Sequence, residues 1–222
     1  MRRTTCALLV AGVLVLAGCG GEAPEKAAGS PDPTVSATTP PLAGGERQRL
    51  EYASPEALAK HTPVVVLGTV ASWEDGPTVV LAERGGGEDR LPYAVMVVDV
   101  DQVVKDEGGL VTGDQIAVPV RVAGDEPDAR ELAPAGSNVA FLGGADTSFG
   151  VFGDAEVEIE PGGPVDLDSV LWGESQGVLL ETPTGAVVNA DPFGRADLWP
   201  EIGALPDEEQ FGMLAQRLMA LG

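Results

Sequence analysis

Beyond residue 63 the apolar positions either alternate with polar ones or run together in short blocks, and helical spacing is confined to the two flanks. Val64-Val65-Val66-Leu67-Gly68-Thr69-Val70 is β-branched and apolar on both faces, which predicts a central buried strand. A short strand is expected over Thr78–Ala82, followed by a Gly-rich acidic loop from Glu83 to Asp89. A long strand follows from Tyr93 to about Lys105. Ala94, Met96, Val98, Val100 and Val104 share the core-facing parity, and Asp99 and Asp101 share the parity facing water. Gln115 to Val122 alternates again with Ile116, Val118, Val120 and Val122 inward. Pro119, on the outward parity, marks that strand as an edge or a bulge. Ser137 to Leu142 predicts another strand, ended by Gly143-Gly144. Glu156, Glu158 and Glu160 alternate with Val157 and Ile159 in a strand with an acidic outer row. Leu179-Leu180 and Ala186-Val187-Val188, joined through Thr184-Gly185, read as a hairpin.

Helices bracket these strands. Ser54-Pro55-Glu56 combines an N-cap serine, a proline at the first helical position and an acid in the first turn. Pro63 disfavours helical geometry before it and ends this helix by Thr62. At the C-terminus Asp207-Glu208-Glu209 complement a helix dipole, and Phe211, Leu214, Leu218 and Leu221 form one apolar stripe. Many short strands with few helices predict a mainly-β fold: an OB-like β-barrel with flanking N- and C-terminal helices, over residues 47–222.

The first 46 residues follow different rules. Arg2 and Arg3 precede an apolar run from Cys6 to Leu16, which is too short to span a bilayer as a helix. The run leads into Leu16-Ala17-Gly18-Cys19, the layout of a secretory signal with cysteine at the cleavage position. This segment resembles the bacterial lipoprotein signal. The resemblance implies diacylglycerol and acyl chains such as palmitate on Cys19, with residues 1–18 removed as signal peptide. It also implies a lipid-anchored protein on the outer, extracytoplasmic face of the cell membrane. From Gly20 to about Glu46, Pro24, Pro31, Pro33, Pro40 and Pro41 sit among Gly, Ala, Ser and Thr with no apolar face to bury. Residues 19–46 are therefore expected to be the lipidated cysteine and a disordered linker.

Charge narrows the partners. The chain carries a formal net charge of −22. Loss of residues 1–18, which hold Arg2 and Arg3 and no acid, would deepen the charge by two. Nucleic acid and bare anionic lipid are excluded as ligands, because binding phosphate needs clustered Lys and Arg. Membrane attachment then falls to lipid on Cys19, and two or more acyl chains hold stably where one does not. The chain's two cysteines are Cys6, which leaves with the signal, and Cys19, which is consumed by lipid; no thiol remains for a disulfide, redox work or a metal.

Three pieces of the β-region occur together: Val66 to Val70 ending Gly-x-Val, the Val100-x-x-Val103-x-Lys105 strand end, and Leu132-x-x-x-Gly136 followed by Phe141-Leu142. The domain thereby resembles the OB-like barrels of netrin-type and metalloproteinase-inhibitor modules, over about Pro63 to Gly143. The resemblance implies fold rather than activity. Those inhibitors chelate zinc through a free N-terminal cysteine, which this chain lacks, so that chemistry is not carried over.

Candidate chemistry is sparse. Gly173-Glu174-Ser175-Gln176-Gly177 fits the Gly-x-Ser-x-Gly elbow, which belongs between a strand and a helix. Pro183 leaves little room for that helix, and His61 is the chain's sole histidine. The order His61, Asp99 or Asp101, Ser175 matches that of two-barrel serine proteases, whereas a Gly-flanked serine in a turn is the plainer reading. Asp125-Glu126-Pro127-Asp128 and Asp166/Asp168 lack calcium-loop spacing and read as solvated loops. Gly143-Gly144 to Gly150 is no phosphate cradle, since no helix follows. Phe149, Phe152, Trp172 and Trp199 are assigned to core packing rather than a binding surface. The expectation is a non-catalytic binding or accessory module at the envelope, with no cofactor, no metal and a protein or cell-wall partner. The alternative is a serine hydrolase using Ser175 and His61.

Overall fold

Ser54 starts the first helix as its sequence requires: the Oγ accepts the Ala57 N–H at 3.2 Å, and Pro55 opens α1 (Pro55–His61). The computed structural model describes residues 52–82, 87–122, 128–145, 156–166, 169–191 and 199–222, all within the compact unit Pro33–Gly222. The signal segment, Cys19 and the Pro-rich linker lie outside the described residues, as do Phe149 and Phe152. The end of α1 is held from a distance: Lys105 Nζ donates to the Thr62 carbonyl at 2.7 Å and to the Ala59 and Lys60 carbonyls at 3.2 Å. A cation there satisfies carbonyls that the helix leaves open and complements its dipole.

The first strand, β1 (Val64–Ala82), is continuous where the apolar pattern suggested two pieces. Register shifts near Val65/Val66, Leu67/Gly68, Val70/Ser72 and Asp75/Thr78 interrupt its side-chain parity while its pairing persists. Gly76 permits the last of these bends, because a Cβ there would lie 2.6 Å from the Tyr93 carbonyl oxygen. Its partner β2 (Glu88–Asp106) begins inside the expected acidic loop and is longer than Tyr93–Lys105. Ala94, Met96 and Val98 are buried and Asp99 and Asp101 exposed, as expected. Val104 is a correction. The bulge opposite Val65/Val66 breaks the alternation, and Val104 packs with the outer cluster beneath the helices rather than the barrel interior.

On the other side of β2 lies β3 (Gln115–Arg121), an edge strand as Pro119 required, with Pro119 opposite Val95. Pro119 is nonetheless buried, and Val122 falls just past the strand and is half-buried. A short helix, α2 (Ala129–Leu132), is capped by Asp128, whose Oδ1 accepts the Arg130 N–H at 3.0 Å. Then come β4 (Asn138–Gly144), β5 (Glu156–Glu160), β6 (Trp172–Glu181) and β7 (Val187–Asn189). The β6–β7 hairpin forms as expected, and its turn places Gly185 at φ 91°, the left-handed region where glycine is favoured. Strand β5 pairs with the far half of β1, and Arg90 of β2 forms an ion pair with Glu160. The chain ends with α3 (Pro200–Gly203) and α4 (Asp207–Met219).

The fold is mainly β: a sheet of order β3-β2-β1-β4-β6-β7, with β5 on β1 and short helices flanking it. A parallel bridge between Ala117 and Val170, with the Leu171 N–H on the Ala117 carbonyl at 2.8 Å, links β3 to the segment entering β6. The sheet is therefore barrel-like without closing fully.

Two main clusters fill it. The interior holds Val64, Val66, Met96, Val98, Phe141 and Leu180 among others. The second lies outside β1, β4 and β6, where Val65, Leu142 and Leu179 meet Leu58 of α1, Ile202 of α3 and Leu214 and Leu218 of α4. The expected α4 stripe changes at its ends. Leu221 lies past the helix and is exposed, while Gln210, buried, joins the inward face beside half-buried Phe211.

Candidate functional site

The Gly-x-Ser-x-Gly segment lies within β6, not in the expected turn. Phe141 pairs with Val178 and Gly143 with Gly173, so Glu174-Ser175-Gln176-Gly177 bulges out opposite Leu142. Gly177 makes this possible: a Cβ there would lie 2.1 Å from the Leu142 carbonyl oxygen. Bulges of this kind re-aim side chains and concentrate near functional sites.

Two buried amides support the bulge. Asn189 of β7, 3% exposed, donates from Nδ2 to the Ser175 carbonyl at 2.7 Å. Gln176, 6% exposed, accepts the Tyr52 backbone N–H on its Oε1 at 2.8 Å. Tyr52 is pinned a second time, because Trp199 donates its indole N–H to the Tyr52 carbonyl at 2.8 Å. The Tyr52 ring packs on the outer cluster, and its centroid lies 5.3 Å from that of the His61 ring. The phenol oxygen is buried and has no hydrogen-bond partner among the described residues. Burial, and after it the negative charge of Glu174, push the Tyr52 phenol above its ordinary pKa.

His61, exposed at the end of α1, therefore faces the Tyr52 ring, and half-buried Ser175 lies next to the residue that holds the Tyr52 amide. No hydrogen bond joins Ser175 to His61 among the described residues. Asp99 is committed to Gln115, whose Nε2 donates to its Oδ1 at 2.7 Å. Asp101 is exposed on β2. An activated serine needs a base within reach and a third group orienting that base; among the described residues, His61 contacts Tyr52 and Asp99 contacts Gln115, and neither contacts Ser175.

The other sequence candidates disperse. Asp128 caps α2 and binds its own Arg130, and Asp125, Glu126 and Asp168 lie outside the described residues. Asp166 is exposed. No group of three or more His, Cys, Asp or Glu side chains is placed to hold a metal ion among the described residues. Gly143 is a strand residue whose missing side chain lets the Trp172 carbonyl approach. Trp199 is a core residue, as expected, while Trp172 is half-buried and meets Tyr93 edge-on with centroids 5.7 Å apart. No helix among the described residues is long and apolar enough to cross a membrane. No family model, curated protein or solved structure matches the chain.

Tyr52, Gln176 and Asn189 are the positions that sequence reasoning missed. Gln176 sat inside a noted motif only as a variable residue. Tyr52 precedes a helix cap and carries no periodic signal. Tyr52 and Gln176 meet across a separation of 124 positions, which no local pattern encodes, and Asn189 joins them only through the Ser175 carbonyl of the bulge.

Proposed function

We propose that this chain is an exported lipoprotein, anchored through Cys19 on the outer face of the cell membrane, whose β-domain is a non-catalytic binding or accessory module at the envelope. The observation that carries the reading is the ordered start of the sequence. A cationic Arg2-Arg3, an apolar run from Cys6 to Leu16 and the Leu16-Ala17-Gly18-Cys19 box follow one another in order. The Pro-rich stretch from Gly20 to Glu46 would serve as a tether holding the domain away from the bilayer. The net charge of −22 supports lipid over a basic patch as the means of attachment, since anionic headgroups repel such a domain. Partly open OB-like barrels commonly present strand faces and loops to ligands, and that supports a binding role for the domain.

The test is expression of the full chain in a bacterial host fed an alkyne-bearing fatty acid, beside Cys19→Ala. The expected result is label on the native chain, with Cys19 as mature N-terminus by mass spectrometry, and partition into the detergent phase. Cys19→Ala should lose all three. Unchanged partition of Cys19→Ala, or a mature chain with an unmodified Cys19, would overturn the lipoprotein reading.

A further inference from the structure

We propose that the cleft between the β6 bulge, α1 and Trp199 is a peptide-binding socket, occupied in cis by Tyr52 and open to a segment that presents a phenylalanine. Tyr52 is held as a peptide ligand is held. Its backbone N–H meets a side-chain acceptor on Gln176 and its carbonyl a side-chain donor on Trp199, from positions 124 and 147 residues away in the chain. Its ring packs on the outer cluster and against His61. Both backbone groups of a single residue outside any helix or strand are thus read by side chains, and its aromatic ring by an apolar wall. Main-chain bonds of this kind supply affinity and the ring pocket supplies selectivity.

The seated residue fits imperfectly. The Tyr52 hydroxyl is buried without a partner among the described residues, and an unpaired buried hydroxyl opposes binding. A phenylalanine would offer the same ring without that penalty. The socket therefore favours an incoming aromatic segment over the one that fills it, and a segment held in cis is displaced in trans only against an effective concentration on the order of mM. The contact is autoinhibitory. The proposal names the partner chemistry of the binding module and rests on that reading for its biological role alone, since peptide binding and lipidation of Cys19 succeed or fail separately.

The experiment uses the full chain, native and Tyr52→Ala, with a fluorescent synthetic peptide of residues 48–56 carrying Y52F, read by anisotropy. Tyr52→Ala should bind the peptide at least about tenfold more tightly than the native chain does, because the cis competitor keeps its two main-chain bonds but has lost the ring that fills the socket. The peptide with its native tyrosine should bind Tyr52→Ala about tenfold more weakly than the Y52F peptide. Adding Trp199→Phe, which keeps an aromatic ring and removes the indole donor, should weaken binding about fivefold. Absence of binding to a folded Tyr52→Ala, or equal binding to it and to the native chain, would overturn the proposal. Should Tyr52→Ala fail to fold, hydrogen exchange on the native chain decides. The Tyr52 amide should exchange at least about a hundredfold faster than the Val66 amide, through local release. Exchange of both at one rate would mean that Tyr52 does not leave on its own, and the socket reading falls.

Discussion

Gln210→Leu removes two short hydrogen bonds and a long one of 3.5 Å to Asp207 Oδ1, and keeps the approximate volume of a side chain that is 5% exposed. Gln210 ties α4 to the sheet: its Oε1 accepts the Val187 N–H of β7 at 2.9 Å, and its Nε2 donates to the Leu205 carbonyl at 3.0 Å. Val187 is 4% exposed, so its N–H has no water to turn to, and orphaning it should cost about 1–3 kcal/mol. The Leu205 carbonyl belongs to a half-buried residue and can recover water, which limits that loss to about 0.5–1.5 kcal/mol. Leucine returns about 1 kcal/mol through added apolar burial. The net expectation is a loss of about 2 kcal/mol, or ~4–8 °C in Tm for a domain of this size. Urea titration followed by tryptophan fluorescence measures it, since Trp199 lies in the cluster that α4 covers. A change below about 0.5 kcal/mol would show that β7 does not depend on Gln210, and the argument from buried polar satisfaction would be wrong here.

Arg217 binds Glu56 of α1 through Nε and Nη2 (2.7 Å for the latter) and Glu201 of α3 through Nη1 at 2.9 Å. Burial pushes the Glu56 carboxyl up, but the bonds from Arg217, the first-turn backbone and Ser54 together outweigh it and leave the pKa below its ordinary value. The resulting stability is present above the unfolded carboxylate pKa of about 4.3 and is lost as pH falls through the folded value. Arg217→Leu should therefore cost about 1–2 kcal/mol at pH 7 by urea titration. The gap from the native chain should close progressively below about pH 4, and a gap unchanged at pH 3 would refute the assignment. Tyr52→Phe should leave the melting temperature unchanged or raise it, since among the described residues the hydroxyl has no bond to lose; a fall of several degrees would reveal a partner for it. A fluorophosphonate probe should label the native chain no more than Ser175→Ala, and labelling lost in both Ser175→Ala and His61→Ala would establish the hydrolase alternative.

Pieces whose causes are local were legible along the chain. Ser54 and Pro55 start α1 because a cap and a fixed φ act within one turn. The alternation of Met96 with Val98, and of Ile116 with Val118 and Val120, identified the interior face because side-chain parity is a property of the strand alone. The edge position of β3 followed from a missing N–H at Pro119.

Tertiary structure decided what depends on register and on distant partners. The bulges of β1 and β2 made one strand of two expected pieces and moved Val104 to the outer cluster, since an extra residue flips every later side chain. Ser175 was read as a turn residue from its glycines, yet pairing on both sides of the bulge keeps it in β6. Lys105 at the end of α1, Gln210 under β7 and Tyr52 between Gln176 and Trp199 leave no periodic trace in the chain, because each is a polar group satisfied by a backbone atom or side chain from another element. A buried polar group must find its partner wherever the fold brings one, and that place is set only when the sheet and its helices have packed.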